Sequence, residues 1–257
     1  MKVLGRKLHI IYRHIPLRAE KYSRDPQKVR PEWFSYEICF QNLLRTVKMD
    51  PLADQVKITI LYDGTLDDFM LDFVASYYSD ESLGLNVQFI RGGSNGNSFL
   101  IALDLVRSSE FPDTDLIYFL ENDYLHQHGW VSKLFELFES RHPIDFVSLY
   151  DHRDKYDFDM YSELLSKLIY TPSHHWRTVP STCGTFILEK GAVLRDYDIW
   201  TANIADFYLF PKLILGRGRV LFTPVPGLAT HSMSGYLSPT IDWGTVALES
   251  ANNLAMI

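Results

Sequence analysis

Within Leu116-Ile-Tyr-Phe-Leu-Glu-Asn-Asp-Tyr124, an unbroken apolar and aromatic run ends in Glu121, Asn122 and Asp123. Such a run reads as a strand buried on both faces. Carboxylates at the C-terminal end of such a strand sit at the crevice where open α/β sheets bind ligands. Spaced i, i+2 on one strand, Glu121 and Asp123 are expected to point to the same side. Hard oxygen ligands of this kind suit Mg²⁺ or Mn²⁺, whose coordination is commonly completed by substrate phosphates. An isolated acidic triplet is more often a plain strand-to-loop transition, so its meaning depends on the elements around it.

Those elements alternate. Leu8–Tyr12 reads as a strand and residues 33–47 as a helix. The β-branched run Val56–Tyr62 ends at Asp63 and Gly64. Residues 66–78 read as one helix, with Thr65 as N-cap and Asp67 and Asp68 in its first turn. Residues 87–91 form a third strand, and the loop 92–97 leads into a helix over 98–106. Residues 116–120 make the fourth strand. The second half is mixed, with a helix over 130–138, strands over 145–150 and 185–188, and a helix over 191–197. A helix over 202–215 is interrupted by Pro211, and a last strand covers 220–223. Strands alternating with helices imply βαβ units and a largely parallel α/β sheet flanked by helices.

The chain has 257 residues, a formal net charge of -7 and 14% aromatic residues. This length and composition predict one soluble domain over 1–257 with a substantial core. The acidic balance argues against nucleic acid as the partner, which needs a basic footprint. The only cysteines, Cys39 and Cys183, have no metal-ligand spacing and make no disulfide framework. No apolar run approaches the roughly 20 residues that span a bilayer, and the N-terminal segment lacks a signal-peptide core. A cytoplasmic location is expected.

The order of the motifs carries more than any one of them. Asp63-Gly-Thr-Leu-Asp-Asp68 follows strand two, and Asn95-Gly-Asn97 opens the helix after strand three. Glu121-Asn-Asp123 closes strand four, Asp206 begins Asp-Phe-Tyr-Leu-Phe-Pro, and His231 follows the last strand. This set resembles the nucleotide-sugar glycosyltransferases of the GT-A fold, particularly inverting family 2. The resemblance covers roughly residues 5 to 235, and it implies a donor-binding half over about 5–125 and an acceptor and catalytic half over about 126–240. It departs from the family pattern in having Glu121 for the first Asp of the metal motif. A single carboxylate ends strand two, and Ala205-Asp206 stands where an acidic pair is usual.

The resemblance implies a transferase that moves a sugar from a nucleotide-sugar donor to a glycan or glycolipid hydroxyl with inversion. Peripheral membrane association would come through the acceptor. It implies Mn²⁺ or Mg²⁺ held by Asp123 and His231, and Asp206 as general base, with Asp196 and Asp198 in reserve. Arg13, Asp63, Arg91, Asn95, Glu121 and Asn122 form the implied nucleotide-sugar set. The small-residue loop 182–185 would approach the acceptor, and Trp130 and Trp176 could stack on sugar faces. Two rival readings are a sugar-nucleotide nucleotidyltransferase, whose Gly-rich loop after strand one is missing here, and a non-catalytic carbohydrate-binding relative.

Overall fold

The computed structural model describes residues 5–16, 28–202 and 206–252, apart from the side chains of Asp206, Phe207 and Asn252. The strands are β1 (Leu8–His14), β2 (Val56–Tyr62), β3 (Asn86–Phe89), β4 (Leu116–Glu121), β5 (Tyr124–His126) and β6 (Phe146–Val147). They continue with β7 (Leu168–Tyr170), β8 (His175–Thr178), β9 (Phe186–Glu189), β10 (Leu221–Val225) and β11 (Ala229–His231). One sheet has the order β3-β2-β1-β4-β9-β6-β10-β8-β7, and β11 pairs with β5 in a separate ribbon. In the large sheet β9 and β8 run against the others. The architecture is α/β, with a mostly parallel central sheet flanked by helices.

Period-two alternation on wholly apolar strands explains why both faces are covered. On β4, Leu116, Tyr118 and Leu120 join a core with Phe40, Leu44 and Trp130, whereas Ile117 and Phe119 join a second core with Phe99, Leu103 and Trp200. The helices Tyr36–Lys48 and Trp130–Phe138 supply the first core, and Asn95–Ser108 the second. Full burial of each such side chain contributes about 1.5–3 kcal/mol. The helix Trp243–Asn252 packs on the outer side of Tyr36–Lys48 and β5 through Trp243 and Ala247.

Several boundaries differ from the sequence reading. The expected helix over 66–78 is two helices, Leu66–Met70 and Phe73–Tyr78. Asp72 is extended between them, caps the second through the Val74 N–H, and spends its other oxygen on His14 and Tyr62. The capping box at Thr65 is present. The strand expected over 145–150 is only Phe146–Val147, because the Leu149 carbonyl turns to accept from Leu228 and Ala229. Residues 191–197 divide into Lys190–Arg195 and Tyr197–Ala202. Residues 203–205 of the helix expected over 202–215 lie outside the described residues. From Asp206 to Pro211 it is α-helical, and beyond the proline Lys212–Gly216 has π-helical bonding. Proline has no N–H to give to the preceding turn.

Candidate functional site

The parallel register puts Arg13 of β1 opposite Glu121 of β4, and His14 opposite Tyr62 of β2. The C-terminal ends of β1, β2 and β4 therefore open on one crevice. Arg13 and Glu121 share strand parity with Ile11 and Phe119, so both lie on the side of the Asn95–Ser108 helix. Arg13 Nη1 donates to the Asn95 carbonyl at 3.1 Å and to Asn95 Oδ1 at 2.5 Å. Its Nη2 donates to the Gly184 carbonyl at 3.2 Å and stands 3.3 Å from Glu121 Oε1. Asn95 Nδ2 donates to the same Glu121 oxygen at 3.0 Å, and Thr185 Oγ1 to the other at 3.4 Å. A Cβ on Gly184 would come within 3.1 Å of the Arg13 guanidinium, so the loop 182–185 reaches this cluster because that residue has no side chain.

Asp63 is fixed from the other side. Its two oxygens accept from the Gly92 and Gly93 N–H groups, each at 2.9 Å. Gly93 has φ 68°, a region that favours glycine, and a Cβ on Gly92 would sit 2.8 Å from Asp63 Oδ2. The loop after β3 is thus tied to the end of β2. Arg91 is exposed and, with Gly64, Thr65, Leu66, Phe89 and Ile90, lines a small open pocket beside this tie. Asn122 Nδ2 lies 3.3 Å from His14 Nδ1, and His14 Nε2 lies 3.1 Å from Asp72. Burial raises the Asp72 pKa, but bonds from His14, Val74 and Tyr62 outweigh it and lower it.

The i, i+2 geometry expected of Glu121 and Asp123 is not found. Strand β4 stops at Glu121, and a turn at Asn122 and Asp123 sends the two carboxylates to different partners. Asp123, 4% exposed, accepts from Arg30 Nη2 at 2.7 Å on Oδ2, and His231 Nε2 lies 3.0 Å from that same oxygen. Among the described residues its Oδ1 is buried without a partner. Burial by itself raises the Asp123 pKa; His231, Arg30 and Lys28 overcome that and hold the carboxyl far below the usual carboxylate range. Arg30 is anchored in turn by the Ser232 carbonyl at 2.7 Å and by the Phe34 ring at 4.4 Å. The His231 ring stacks on Tyr124 with centroids 5.2 Å apart. Pairing of β11 with β5 sets His231 opposite Tyr124.

The donor types at Asp123 and His231 suit a divalent ion. Nε2 and Oδ2 are separated by 3.0 Å, which is also the spacing of adjacent vertices in an octahedron with bonds of about 2.1 Å. The unpartnered Oδ1 leaves a further oxygen. Among the described residues no three His, Cys, Asp or Glu side chains gather to hold a metal by themselves, so an ion here would draw its remaining ligands from phosphate and water.

Other candidates fall elsewhere. Trp130 and Trp176 are fully buried, with indole N–H groups donating to Thr46 at 3.1 Å and Thr171 at 3.4 Å; they are core residues and no sugar platform. Asp196 is buried and gripped by both Arg219 nitrogens at 2.8 and 2.9 Å, which leaves it unsuited to reserve-base duty. Asp198 is exposed and paired with Arg217 at 2.6 Å. Asp206 begins its helix, and its side chain lies outside the described residues. Sequence reasoning missed Arg30, Thr185 and the His14–Asp72 pair. Only the isolated Arg30-Pro31 step, with a cation near no apolar periodicity, hinted at the first. Among the described residues no helix is long and apolar enough to cross a membrane.

No protein-family profile matches the chain, and no curated protein matches it in sequence. Among solved structures it is similar to GalNAc-T7 with UDP, GalNAc and Mn²⁺, at 10% identity and a TM-score of 0.54, over 90% of this chain and 45% of that one. It is also similar to S. aureus TarS, at 15% identity and a TM-score of 0.43, over 75% of this chain and 49% of that one. A third is UDP-glucose pyrophosphorylase complexed with UDP-glucose, at 8% identity and a TM-score of 0.49, over 96% and 97% of the two chains. The chain spans about half the length of the first two. At these identities the likeness is one of fold, and its weight rests on the GalNAc-T7 superposition. The fold is GT-A-like.

Proposed function

We propose that the chain is a metal-dependent, inverting glycosyltransferase that uses a nucleotide-sugar donor. The observation that supports this reading is that Asp63 follows β2 and Glu121 ends β4, the two parallel neighbours of β1, with Asp123 just beyond Glu121 and His231 3.0 Å from it; ligands bind at this edge of open α/β sheets. The nucleoside base would lie toward Asp63 and the open pocket of Phe89 and Arg91. Asn95, Glu121 and Asn122 would meet the ribose and the diphosphate. The guanidinium of Arg13 is spent on holding Glu121 and Asn95 in place.

Asp123 and His231 would hold the divalent ion, which supplies Lewis-acid stabilisation of charge on the departing diphosphate. Arg30, already on Asp123, adds a second positive group on that side. Asp206 would take the proton from the acceptor hydroxyl. The acceptor oxygen then bonds to the anomeric carbon as the bond from that carbon to the diphosphate breaks, with inversion in a single displacement. Acceptor identity and any contact with a membrane surface through a glycolipid belong to this proposal, as does the treatment of 1–257 as one domain.

A sugar-nucleotide panel with Mn²⁺, read by thermal shift and then by transfer to methyl glycosides, tests the proposal. A ligand that binds only the native state raises its melting temperature. No stabilisation by any nucleoside diphosphate or sugar nucleotide would overturn it. Pyrophosphate-dependent exchange without sugar transfer would replace it with nucleotidyl transfer.

A further inference from the structure

Behind Asn122 the strand ends carry a buried relay. His14, the last residue of β1, has a side chain 0% exposed, and its partner Asp72 is 2% exposed. The rings of Tyr12, Tyr62 and Phe73 stand 6.1, 5.6 and 5.2 Å from the imidazole, centroid to centroid. Both ring nitrogens are nonetheless used. Nε2 lies 3.1 Å from Asp72 Oδ2, and Nδ1 lies 3.3 Å from Asn122 Nδ2. The two neighbours agree on where the proton sits. Asp72 accepts from the Tyr62 hydroxyl at 3.3 Å on the same oxygen and from the Val74 N–H at 3.1 Å on the other. Burial raises its pKa, but these bonds and His14 leave it below the ordinary value. An ionised carboxylate can only accept, so Nε2 is the donor. Asn122 offers an N–H, so Nδ1 is the acceptor. His14 is a neutral ring with its proton on Nε2.

This tautomer decides which end of the Asn122 amide is left for the crevice. With Nδ2 held by His14, the remaining end is Oδ1. Asn122 is half-buried, no donor among the described residues reaches Oδ1, and that atom is not enclosed. Asn122 stands between Glu121 and Asp123, so three successive side chains offer acceptor oxygens. A phosphate oxygen is an acceptor too, and meets such an edge only through a cation. A hydroxyl brings the hydrogen that this edge lacks.

We propose that Asp72 and His14 are positioning residues that lock the Asn122 amide with its oxygen outward, where it accepts from a ribose hydroxyl of the donor. The identity of that hydroxyl rests on the nucleotide-sugar reading. Neither Asp72 nor His14 touches the ligand.

Asp72→Asn tests the relay by reversing it. Asparagine is as good an N-cap as aspartate, so its oxygen keeps the Val74 N–H. Its amide nitrogen then donates to His14 Nε2, the ring carries its proton on Nδ1, and Asn122 must turn its oxygen inward to accept it. The long-range ¹H–¹⁵N spectrum of the imidazoles should show the Nε2–H tautomer of His14 in the wild type and the Nδ1–H tautomer in the variant. Calorimetry with Mn²⁺ compares the tightest binder among UDP, GDP, ADP and CDP with its 2′-deoxy and 3′-deoxy forms. The wild type should bind one deoxy form about threefold to tenfold more weakly, the loss of one net hydrogen bond. That preference should vanish in Asp72→Asn and in Asn122→Ala, whereas a loss of stability alone would weaken all three ligands alike. Asn122→Ala leaves the Asp72 cap intact, so it decides the acceptor role even where Asp72→Asn does not fold. A wild-type His14 protonated on Nδ1, an unchanged tautomer in folded Asp72→Asn, equal binding of all three ligands by the wild type, or an undiminished preference in Asn122→Ala would overturn the relay. Failure of the wild type to bind any of the diphosphates would instead overturn the donor site, and the imidazole spectra would still decide whether Asp72 sets the His14 tautomer.

Discussion

Replacing Asp123 with Asn tests whether the centre of the site is also a structural ion pair. The carboxylate receives Arg30 at 2.7 Å and His231 at 3.0 Å on one oxygen. Removing one partner of a fully buried pair costs about 3–5 kcal/mol. Arg30 and His231 keep 19% and 16% side-chain exposure, so water takes up part of that loss. Asn also still offers one neutral acceptor. The expected cost at pH 7 is therefore about 2–3 kcal/mol, read from urea denaturation followed by circular dichroism. Asp123 is held below the usual carboxylate range in the folded state. Its contribution is complete above an unfolded pKa of about 3.9 and is lost as pH falls through the lower folded value. The gap between wild type and variant should stay level from pH 7 to about 5 and narrow in stronger acid. Under conditions where the variant is folded, Mn²⁺-dependent heats of nucleoside diphosphate binding should vanish. A stability difference below about 0.5 kcal/mol at pH 7, or a gap that stays constant into strong acid, would refute this account of Asp123.

Asp63→Ala frees the N–H groups of Gly92, which is buried, and of Gly93, which is exposed, and its cost should be about 1–3 kcal/mol, mostly from the unsatisfied buried donor; nucleotide affinity measured by calorimetry should fall with it. Gly184→Ala places a Cβ 3.1 Å from the Arg13 guanidinium and 3.6 Å from the Glu121 carboxyl, so it should lower the melting temperature and weaken donor binding without touching Asp123. Asp206→Asn should leave donor affinity nearly unchanged and slow transfer by about 10²-fold or more, measured in single-turnover assays, with a product of inverted anomeric configuration. Near-normal transfer by that variant would move the base to another group, and a retained configuration would refute single displacement.

What could be read from the sequence depended on whether its cause was local. Val56–Tyr62 and Trp130–Phe138 have the boundaries their residue patterns predict, because apolar periodicity is a property of neighbouring residues. The cap at Thr65 is local as well. Asp72 is not: its breaking of the helix over 66–78 is reinforced by His14 and Tyr62, which reach it from two other strands. Arg30 and Asp123 are 93 positions apart, and nothing near either residue marks the other. The turn after Glu121 was illegible for a related reason. Tyr124–His126 pairs with Ala229–His231, and that distant ribbon decides where β4 ends.

An acidic crevice in a chain of net charge -7 looks poorly suited to a diphosphate, and the pairing pattern resolves the conflict. An uncompensated carboxylate about 4 Å from a phosphate oxygen costs roughly 1 kcal/mol in water and about 4 kcal/mol at the effective dielectric of a protein surface. Glu121 is met by Arg13 at 3.3 Å and Asp123 by Arg30 at 2.7 Å, while the Asp63 oxygens each take a backbone N–H. Each carboxylate at the strand ends thus has a positive or donor group on the protein side. Arg91 remains exposed at the rim, and Lys28 acts on Asp123 from farther off. Under the proposed reading the repulsion is largely cancelled before any ligand arrives, and what the carboxylates would offer is directional: lone pairs for hydroxyls, base N–H groups or a cation. The same pairing explains why stability and ligand binding are expected to fall together at Asp123 and Asp63, since one set of oxygens serves both.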